Sequence, residues 1–364
     1  MKQIITDIAK NMGIDIIGFT KILNYSYLAD LLFDRANMGY NSEFEDQDIN
    51  KRLDARYVFP KCKSIIAIGV PYAQGYKKPV TSHKGLLSVV SYGEDYHKKV
   101  ALILNNLALK IKKHINFEYV SCVDTSPLID REICKNAGIG QYGKNSLLIN
   151  NDYGSFINLG YLLTDMDISN STTNTVNICN DCDICVKSCP NNAIFKDGGI
   201  NSKRCISNLT QTKNYIPLEY RHNMRNQIYG CDICQLVCPK NKNNMEIESN
   251  NDYNYLMVDL AELLKISKAD FNKKYGSLSG SWRGKNVWKR NALISIGNLG
   301  LFSMFDMVKD ELENPSDMIK IYSSWSLMQL NRQKASKILN NNLKYENDSI
   351  KLEYIKLLEG KLWQ

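Results

Sequence analysis

Two short cysteine runs constrain this chain more than any other feature. Residues 179–190 read CNDCDICVKSCP, a C-x2-C-x2-C-x3-C run followed by proline. In ferredoxin domains, three closely spaced thiolates of such a run bind one [4Fe–4S] cluster and the fourth reaches a second cluster. A second run, YGCDICQLVCP at 229–239, repeats the pattern, with Ile228 where its leading cysteine is expected. The sequence therefore predicts a two-cluster ferredoxin-like domain.

The pseudo-symmetry of the runs predicts two sets of cluster ligands. The first set is Cys179, Cys182, Cys185 and Cys238. The second set is Cys231, Cys234, Cys189 and Cys205, where Cys205 fills the position that the second run lacks. Structural zinc also uses C-x2-C pairs and is the alternative, but zinc does not need the two C-x3-C-P endings. The other three cysteines, Cys62, Cys122 and Cys134, are expected to be buried thiols.

The chain has 364 residues, which is more than a single hydrophobic core usually holds together. It divides into three regions of different character. Residues 1–175 alternate helical and strand-like segments, typical of an α/β or α+β domain, with a helix near Ile4–Met12 and strands near Ser64–Val70 and Phe117–Val123. Residues 176–245 hold the cluster cysteines. Residues 246–364 lack cysteine and contain short amphipathic stretches, which predict a HEAT-like helical module.

Cysteine usage and charge indicate the compartment. The chain has eleven cysteines, and charged residues from Lys2 to Asp15 interrupt any apolar signal segment. No later run is long enough to span a bilayer. We therefore expect a cytoplasmic protein without a membrane partner.

The segment GIGQYGKN at 138–145 fits two nucleotide-binding patterns, G-x-G-x-x-G and G-x-x-x-x-G-K. Both patterns require a strand before the glycines and a helix after them. Here residues 127–137 predict a helix before the glycines, with Pro127 in its first turn and Gly138 ending it. The order argues against a dinucleotide or phosphate site. A second partial match, SYGEDYHKKV, copies the cobalamin signature D-x-H-x-x-G except that Val100 replaces the glycine, and a helix-starting Asp95 beside a surface His97 explains it as well.

Taken together, these segments resemble the epoxyqueuosine reductase family over nearly the whole chain. They occur in the order DYH, CVDTSPLIDREICKNAGIGQYGKNSLLI, the first cysteine run, RCISNLTQTK, YGCDICQLVCP and SGSWRGKNVWKRNAL. The resemblance implies an N-terminal cobalamin-binding domain whose fold resembles reductive dehalogenases, two [4Fe–4S] clusters, and a C-terminal part that helps to bind tRNA. It implies reduction of epoxyqueuosine to queuosine at the wobble position, cobalamin without a histidine ligand, and no nucleotide at the glycine segment.

The resemblance also implies site residues. Asp124 in VDTSP matches the family's proton donor, and we expect an apolar pocket to raise its pKa; on sequence alone, an Asp at a helix start is more often a helix cap. Ser126 stands where the family has glycine. Other matched positions near the cobalamin are Arg52, Ser88, Leu148, Leu159, Ser207 and Asp232.

A basic stretch at 271–290 contains six Lys and Arg residues, no acid, and interleaved aromatic residues, in a chain of net charge +8. Basic side chains neutralise phosphates and aromatic faces stack on unpaired bases. Core tryptophans in a solvated loop are the alternative. With the resemblance, the stretch predicts tRNA contacts at Lys213, Arg283, Lys285, Lys289 and Arg290.

Two other functions share part of this evidence. A corrinoid reductive dehalogenase acting on a small molecule uses the same cofactors but does not need the basic C-terminal part. A plain electron carrier needs the clusters alone. For the predicted reductase we expect a monomer that binds the anticodon stem-loop of a queuosine-family tRNA and an unidentified low-potential electron donor.

Overall fold

A computed structural model describes residues 1–22, 24–77, 79, 83–171 and 177–360. The strands are β1 Ile16–Lys21, β2 Ser64–Pro71, β3 Lys84–Leu87, β4 Tyr119–Cys122, β5 Gln141–Tyr142, β6 Leu148–Ile149, β7 Ile157–Thr164, β8 Gln227–Tyr229 and β9 Met257–Asp259. The helices are α1 Lys2–Lys10, α2 Ala29–Asn37, α3 Ile49–Leu53, α4 Tyr96–Lys112, α5 Asp130–Asn136, α6 Ile184–Ser188, α7 Ile206–Leu209, α8 Leu218–Arg221, α9 Ile233–Leu236, α10 Lys242–Glu246, α11 Leu260–Lys265, α12 Lys268–Tyr275, α13 Lys285–Leu299, α14 Phe305–Asp310, α15 Asp317–Leu330, α16 Arg332–Asn342 and α17 Asp348–Leu358.

The chain folds into two compact units, neither of which is continuous in sequence. Unit 1 comprises Met1–Tyr76, Glu94–Lys203 and Ile233–Asn251, and unit 2 comprises Lys77–Gly93, Arg204–Asp232 and Asp252–Gln364. The predicted division into three domains stays a prediction, and its first boundary, at 175/176, falls outside the described residues. None of the helices in the described part of the chain combines the length and apolarity needed to cross a bilayer.

Unit 1 is built on an antiparallel sheet with the order β1-β2-β7-β4. Successive residues of a strand point to opposite faces, and both faces of β2 are buried. Ile65 belongs to one hydrophobic cluster with Ile133 of α5, and Ile66 belongs to another with Ile5 of α1 and Val100 of α4. Helices thus cover the sheet on both sides, which explains the uninterrupted apolar run of β2.

The predicted elements of unit 1 are confirmed with small shifts. The helix expected at Ile4–Met12 is α1, which begins and ends two residues earlier. The strand expected at Ser64–Val70 is β2 with one further residue. The strand expected at Phe117–Val123 is the shorter β4. The mixed α/β class is confirmed by these elements.

Unit 2 combines a three-stranded sheet, ordered β8-β3-β9, with a helical C-terminal part. Helix α13 is its centre, because Val287 to Gly297 are buried around its whole circumference except at the ends. It packs against α11, α15 and β8, and α15 also packs against α14, α16 and α17. The helical character predicted for the C-terminal stretches is confirmed. The HEAT-like arrangement stays a prediction.

Candidate active site and cluster ligands

Asp124, the predicted proton donor, lies in the loop between β4 and α5. Its backbone φ is +52°, in the left-handed region that non-glycine residues adopt rarely and Asp more readily than most. One carboxylate oxygen accepts a hydrogen bond from the Tyr96 hydroxyl at 2.5 Å and lies 3.5 Å from Nε2 of His97. The side chain of Asp124 is nevertheless 61% exposed. The Asp124 carboxylate stays accessible although Tyr96 and His97 hold it, and its backbone is in the left-handed conformation. Such a residue is suited to contact a substrate.

His97 connects two carboxylates. Its Nδ1 lies 2.6 Å from Asp95, the N-cap residue of α4, whose carboxylate also accepts the His97 backbone N–H. Its Nε2 points to Asp124. Both ring nitrogens therefore have carboxylate partners within unit 1, and the absence of His97 from the cobalt ligands stays a prediction.

The pKa values of this pair move apart. The surrounding protein partly desolvates the Asp124 carboxylate, which raises its pKa, but the hydrogen bonds from His97 and Tyr96 outweigh this effect and hold the pKa below its usual range. Burial lowers the pKa of His97, but Asp124 and Asp95 outweigh it and raise the pKa above its usual range. The expected rise in the pKa of Asp124 is therefore wrong for the described protein, because His97 and Tyr96 stabilise the ionised carboxylate.

Helix α5 begins three residues later than predicted. Residues from Pro127 were expected to be helical, but Ile129 is the N-cap with ψ of 82°, and the helix runs from Asp130 to Asn136. The Ser126 hydroxyl accepts the Leu128 N–H at 3.3 Å, a local turn that competes with helix formation. Since Ile129 is the N-cap, Asp124 caps no helix, and the alternative role considered for it is excluded.

Asp130 joins the Asp124 loop to strand β7. One of its carboxylate oxygens accepts the backbone N–H of Asp124 at 3.1 Å, and the other accepts the hydroxyl of Tyr161 at 2.6 Å. The Ser126 hydroxyl lies 2.7 Å from the Tyr161 hydroxyl. Ser126, which replaces the family's glycine, thus forms a hydrogen bond that glycine cannot form. Its backbone needs no positive φ, because that conformation belongs to Asp124.

The glycine segment 138–145 ends a helix and enters a hairpin. Gly138, with φ of +85°, donates to the Lys135 carbonyl, and Ile139 donates to the Cys134 carbonyl, the two bonds of a Schellman cap. The chain then forms β5 and β6, not a second helix, so the segment lacks the strand–glycine–helix order of a nucleotide site. The Lys144 N–H instead donates to Sγ of Cys179 at 3.4 Å.

The first predicted ligand set lies entirely in unit 1. Partial burial raises the pKa of the Cys185 thiol, and the neighbouring Cys179 and Cys238 raise it further. The pKa of Cys238 is raised by burial and, in turn, by Cys179 and Cys182. A positively charged iron core would neutralise thiolates that repel one another, and the N–H bond to Cys179 is of the kind that tunes such clusters, while the assignment of these four cysteines to one cluster stays a prediction.

The second predicted ligand set is divided between the units. Cys189 and Cys234 lie in unit 1, whereas Cys205 and Cys231 lie in unit 2. Cys189 accepts the Ala193 N–H at 3.3 Å through its sulfur. The assignment of these four cysteines to one cluster stays a prediction. The expectation for the other three cysteines is confirmed, since Cys62, Cys122 and Cys134 are buried and unbridged.

A buried polar network anchors the segment that carries Cys238. Asn241 is completely buried, and its side-chain oxygen accepts the backbone N–H of Ser155 at 2.6 Å. Its side-chain nitrogen donates to the Ser155 hydroxyl and to the Gln235 carbonyl. Gln235 in turn donates to the Ser155 carbonyl at 3.0 Å. These bonds fix the turn from Gln235 to Asn241 against the residues that lead into β7.

Three residues matched to the cobalamin site lie in unit 1. Arg52 forms an ion pair with Glu45 at 2.9 Å. Leu148 is buried in the same hydrophobic cluster as Tyr161, and Leu159 packs against that cluster. Leu159 and Tyr161 are two residues apart on β7 and therefore share a face of the sheet. Since Tyr161 contacts the Asp124 loop, Leu159 offers an apolar surface on the same face, which fits a large apolar macrocycle.

The remaining matched residues lie in unit 2, where two of them contact each other. The buried Ser88 hydroxyl donates a very short hydrogen bond to Asp232, and the Val89 N–H donates to the other oxygen at 2.9 Å. Gly230 makes room for Ser88, because a Cβ there would lie 2.4 Å from the Cβ of Ser88. Ser207 in α7 uses its carbonyl to accept from Thr210 and Gln211. Asp232 thus links Ser88 to the residue next to Cys231.

The comparisons with known proteins identify the family. Residues 52–125 match the family model described as epoxyqueuosine reductase QueG, DUF1730, and residues 178–241 match the 4Fe-4S double cluster binding domain. The epoxyqueuosine reductase of Lactococcus garvieae is 36% identical over 91% of this chain and 96% of its own length. That of Bacillus subtilis is 34% identical over 99% of this chain and 95% of its own length. The chain belongs to the epoxyqueuosine reductase family.

Solved structures of epoxyqueuosine reductase share the fold. A crystal structure with an epoxyqueuosine-modified tRNA-Tyr stem loop has a TM-score of 0.91 at 33% identity, covering 98% of both chains. A Bacillus subtilis structure whose catalytic aspartate loop is swung out of the active site has the same TM-score and identity, covering 100% of this chain and 99% of the other. The predicted family and the double-cluster domain are thereby confirmed, and the zinc alternative is excluded.

Two of the predicted tRNA contacts of this family member are wrong. Arg290 is 0% exposed, and its guanidinium donates to the carbonyls of Leu209, Thr210 and Thr212. Lys289 is buried and forms a 2.7 Å ion pair with Glu311. Both lie on the buried α13, so their charges stabilise unit 2 and do not reach a phosphate. Trp288 is buried as well, and it donates its indole N–H to the Gly280 carbonyl.

The other predicted tRNA residues stay accessible. Lys213 is exposed, Arg283 and Lys285 are half-buried, and Trp282 is 59% exposed. The Arg283 guanidinium stacks on the Trp282 ring at 4.6 Å and donates to the Gln211 carbonyl. Arg283 thus connects the basic stretch to the LTQTK segment that carries Lys213.

Sequence reasoning missed the residues that hold Asp124. Tyr96 and His97 stand in the DYH motif, which was interpreted as a partial cobalt signature or as a helix start beside a surface histidine. Asp130 follows Asp124 by six residues in a segment interpreted as helix alone. The available signal was the joint presence of DYH and VDTSPLID in one family pattern, which places acids and a histidine in one domain without saying which of them touch.

Proposed function

We propose that this chain reduces epoxyqueuosine in tRNA to queuosine, with Asp124 at the centre of the site. Loss of the epoxide oxygen as water consumes two electrons and two protons. The observation that carries the proposal is the accessible Asp124 carboxylate held by Tyr96 and His97, in a chain that matches epoxyqueuosine reductases over its whole length. The chain is an oxidoreductase of queuosine biosynthesis by family.

The cofactors of the family are cobalamin and two [4Fe–4S] clusters. When bound, they supply low-potential electrons one at a time to the reaction centre. In the proposed site, Leu148, Leu159 and Arg52 of unit 1 would hold the corrinoid, while the cofactor roles of Ser88, Ser207 and Asp232, which lie in unit 2, stay predictions. The proposed cluster ligands are those of the two cysteine sets defined above. The electrons come from a low-potential donor that docks on a monomer.

Asp124 and His97 act in this proposal as one proton-delivering pair. The lowered pKa of Asp124 and the raised pKa of His97 both favour the charged pair, in which the ionised carboxylate and the protonated imidazole stabilise each other. Covering the exposed Asp124 side chain with substrate removes water, which disfavours the charged pair and favours proton transfer from His97 to the Asp124 carboxylate. Asp124 then donates that proton from its Oδ2 atom to the departing epoxide oxygen. Asp95 holds the imidazole in place throughout.

The proposed tRNA surface lies in unit 2 and uses Lys213, Arg283 and Lys285 on phosphates. Trp282 provides an exposed aromatic face for an unpaired base. The support comes from the exposure of these groups and from the relative that was crystallised with an epoxyqueuosine-modified tRNA-Tyr stem loop. The helical C-terminal part, proposed to be HEAT-like, carries Lys285 at the start of α13.

A binding and turnover experiment tests the proposal. The reconstituted protein is incubated anaerobically with cobalamin, a reductant and a stem-loop that contains epoxyqueuosine, and nucleoside mass is followed for loss of one oxygen. The same sample is incubated with halogenated phenols. Conversion of the stem-loop supports the proposal, whereas dehalogenation without stem-loop conversion would favour the reductive dehalogenase alternative. Cluster reduction without either reaction would favour a plain electron carrier.

A further inference from the structure

The loop that carries Asp124 has an unfavourable backbone conformation and no regular secondary structure of its own. Asp124 adopts a left-handed backbone conformation, its side chain is largely exposed, and no regular element begins until Asp130. A non-glycine residue in this conformation is strained and keeps it only when surrounding contacts enforce it. The side-chain bonds from Tyr96 and His97 orient the carboxylate, but they do not fix the backbone of the loop.

The contacts that fix the backbone converge on Asp130. Its carboxylate accepts the Asp124 N–H at 3.1 Å, which holds the left-handed residue itself. It also accepts the Tyr161 hydroxyl at 2.6 Å, and Tyr161 pairs with the Ser126 hydroxyl at 2.7 Å. Ser126 completes the arrangement by accepting the Leu128 N–H. Asp124 and Ser126, the two neighbours of Thr125, are therefore both held by the Asp130 carboxylate, the first directly and the second through Tyr161.

The two ends of this network differ in rigidity, so the rigid end positions the other. Tyr161 is completely buried in β7, an inner strand of the unit 1 sheet, and belongs to its hydrophobic core. Asp130 begins α5, so its backbone is also fixed. The Asp124 loop has no such support of its own. The network therefore transmits the position of the sheet to the loop.

An ionised carboxylate at position 130 lowers the stability of the folded protein, because the site is desolvated. Burial raises the pKa of Asp130 to about 7, with the charge of Asp124 adding to the rise, while the hydrogen bond from Tyr161 opposes it. Arg131 also opposes it, and the buried thiols Cys122 and Cys134 are the other titratable groups close to it. A neutral side chain would avoid this desolvation. An acid that is costly to ionise here and that is bonded both to the Asp124 loop and to the core strand β7 points to a role in placing that loop.

We propose that Asp130 is a positioning residue for epoxide reduction: together with Tyr161 it latches the Asp124 loop so that the carboxylate of Asp124 stays at the reaction centre. The reaction step rests on the proposed function, but the latch itself is a property of the fold. Asp130 does not touch the substrate in this account. It acts through the backbone of Asp124 and the hydroxyl of Ser126.

Hydrogen exchange and single-turnover kinetics on the full-length, cofactor-loaded protein test the latch. Asp130→Asn turns one of the two accepting oxygens into an amide donor, and Tyr161→Phe removes one hydroxyl while keeping the core side chain. We expect exchange of the backbone amides of residues 123–128, among which Pro127 has none, to accelerate about 10- to 100-fold in both variants. We expect the single-turnover rate on the stem-loop to fall about 10- to 100-fold, because misplacing a catalytic group by about 1 Å has effects of this size. The Kd for the stem-loop should stay within about twofold.

Asp165→Asn is the matched control. The Asp165 carboxylate also accepts a backbone N–H, that of Glu118 at 2.9 Å, but its partner does not belong to the Asp124 loop. Exchange at 123–128 and turnover should not change in this variant. Wild-type exchange in both Asp130→Asn and Tyr161→Phe would overturn the latch. If Asp130→Asn does not fold, Tyr161→Phe decides alone. Absence of turnover in the wild type would refute the proposed function, while the exchange result would still decide on the latch.

Discussion

At the scale of single residues, the pairing of Asp124 with His97 carries the chemistry. A lone exposed carboxylate is ionised and gives no proton at neutral pH, whereas a carboxylate paired with a protonated imidazole has a proton within reach. The distance of 3.5 Å between Nε2 and the Asp124 oxygen is long for a strong hydrogen bond, so closure of the site around substrate is expected to shorten it.

The pair predicts a pH-dependent contribution to stability. The raised pKa of His97 means that the ion pair contributes fully below the usual pKa of about 6.5 and is lost as the pH rises through the raised value. The lowered pKa of Asp124 means that the contribution is also lost as the pH falls through that value. We expect His97→Gln to lower the free energy of unfolding by less than about 1 kcal/mol at pH near 6, because Asp124 is exposed. At pH near 9 the variant should equal the wild type.

Urea denaturation of the two proteins across this pH range measures the difference. A difference that stays constant from about pH 5 to about pH 9 would contradict a charged His97–Asp124 pair. Tyr119→Phe is a suitable control, since Tyr119 lies in β4 and its ring contacts Phe117 and Lys112, not the His97–Asp124 pair.

At the scale of the elements, the turn that carries Cys238 is built into unit 1 through Gly154. Gly154 has φ of +63°, and a Cβ there would lie 2.0 Å from the Asn241 side-chain oxygen. We expect Gly154→Ala to displace Asn241 and to destabilise the protein by about 2–4 kcal/mol, from backbone strain and overpacking together. Because the turn from Gln235 to Asn241 contains Cys238, iron content should fall as well.

Gly198→Ala provides the comparison for this variant. Gly198 also has a positive φ, of +91°, but a Cβ there has open space, the nearest atom being 3.9 Å away. It should show backbone strain alone, about 1 kcal/mol, with iron content unchanged. Equal losses of stability and iron in the two variants, measured by chemical denaturation and iron analysis, would show that the Asn241 network does not hold the cluster segment.

The elements also show what a single sequence can predict. Cysteine spacing predicted the double-cluster domain because ligand chemistry fixes that spacing. The apolar run at 64–70 predicted β2 because burial on both faces needs it. Charge patterning failed at Arg290, because composition does not reveal that a guanidinium faces the carbonyls of Leu209 and Thr212 from inside a helix bundle. The predicted start of α5 is wrong because the Ser126 hydroxyl accepts the Leu128 N–H in a local turn, which the sequence pattern does not reveal.

At the scale of the whole molecule, the chain has to hold tRNA with few charges. Of the basic stretch at 271–290, Arg290 and Lys289 are committed to the fold of unit 2. The net charge of +8 is therefore less available to phosphates than the sequence suggests. We place the proposed tRNA contacts on Lys213, Arg283 and Lys285, with the aromatic face of Trp282 beside Arg283.

This distribution predicts a difference in salt dependence. Lys285→Ala should weaken stem-loop binding and reduce the slope of log Kd against log salt by about one unit, because one phosphate contact is lost. Lys289→Ala should leave that slope unchanged and lower the free energy of unfolding by about 3 kcal/mol, because Glu311 loses its partner. Binding titrations at several salt concentrations measure both slopes. A reduced slope for Lys289→Ala and an unchanged slope for Lys285→Ala would contradict this account of the surface.

The central claim is that Asp124 delivers a proton while the epoxide oxygen of epoxyqueuosine leaves. Its most direct test compares wild type with Asp124→Asn, which still accepts the Tyr96 hydrogen bond but cannot carry the proton. The protein is loaded with cobalamin and both clusters, and the mass of the wobble nucleoside in the stem-loop is followed in single turnover. We predict loss of one oxygen by the wild type and a rate about 10²- to 10⁴-fold lower in the variant, with iron and corrinoid content unchanged. Equal rates in the two proteins would contradict the claim.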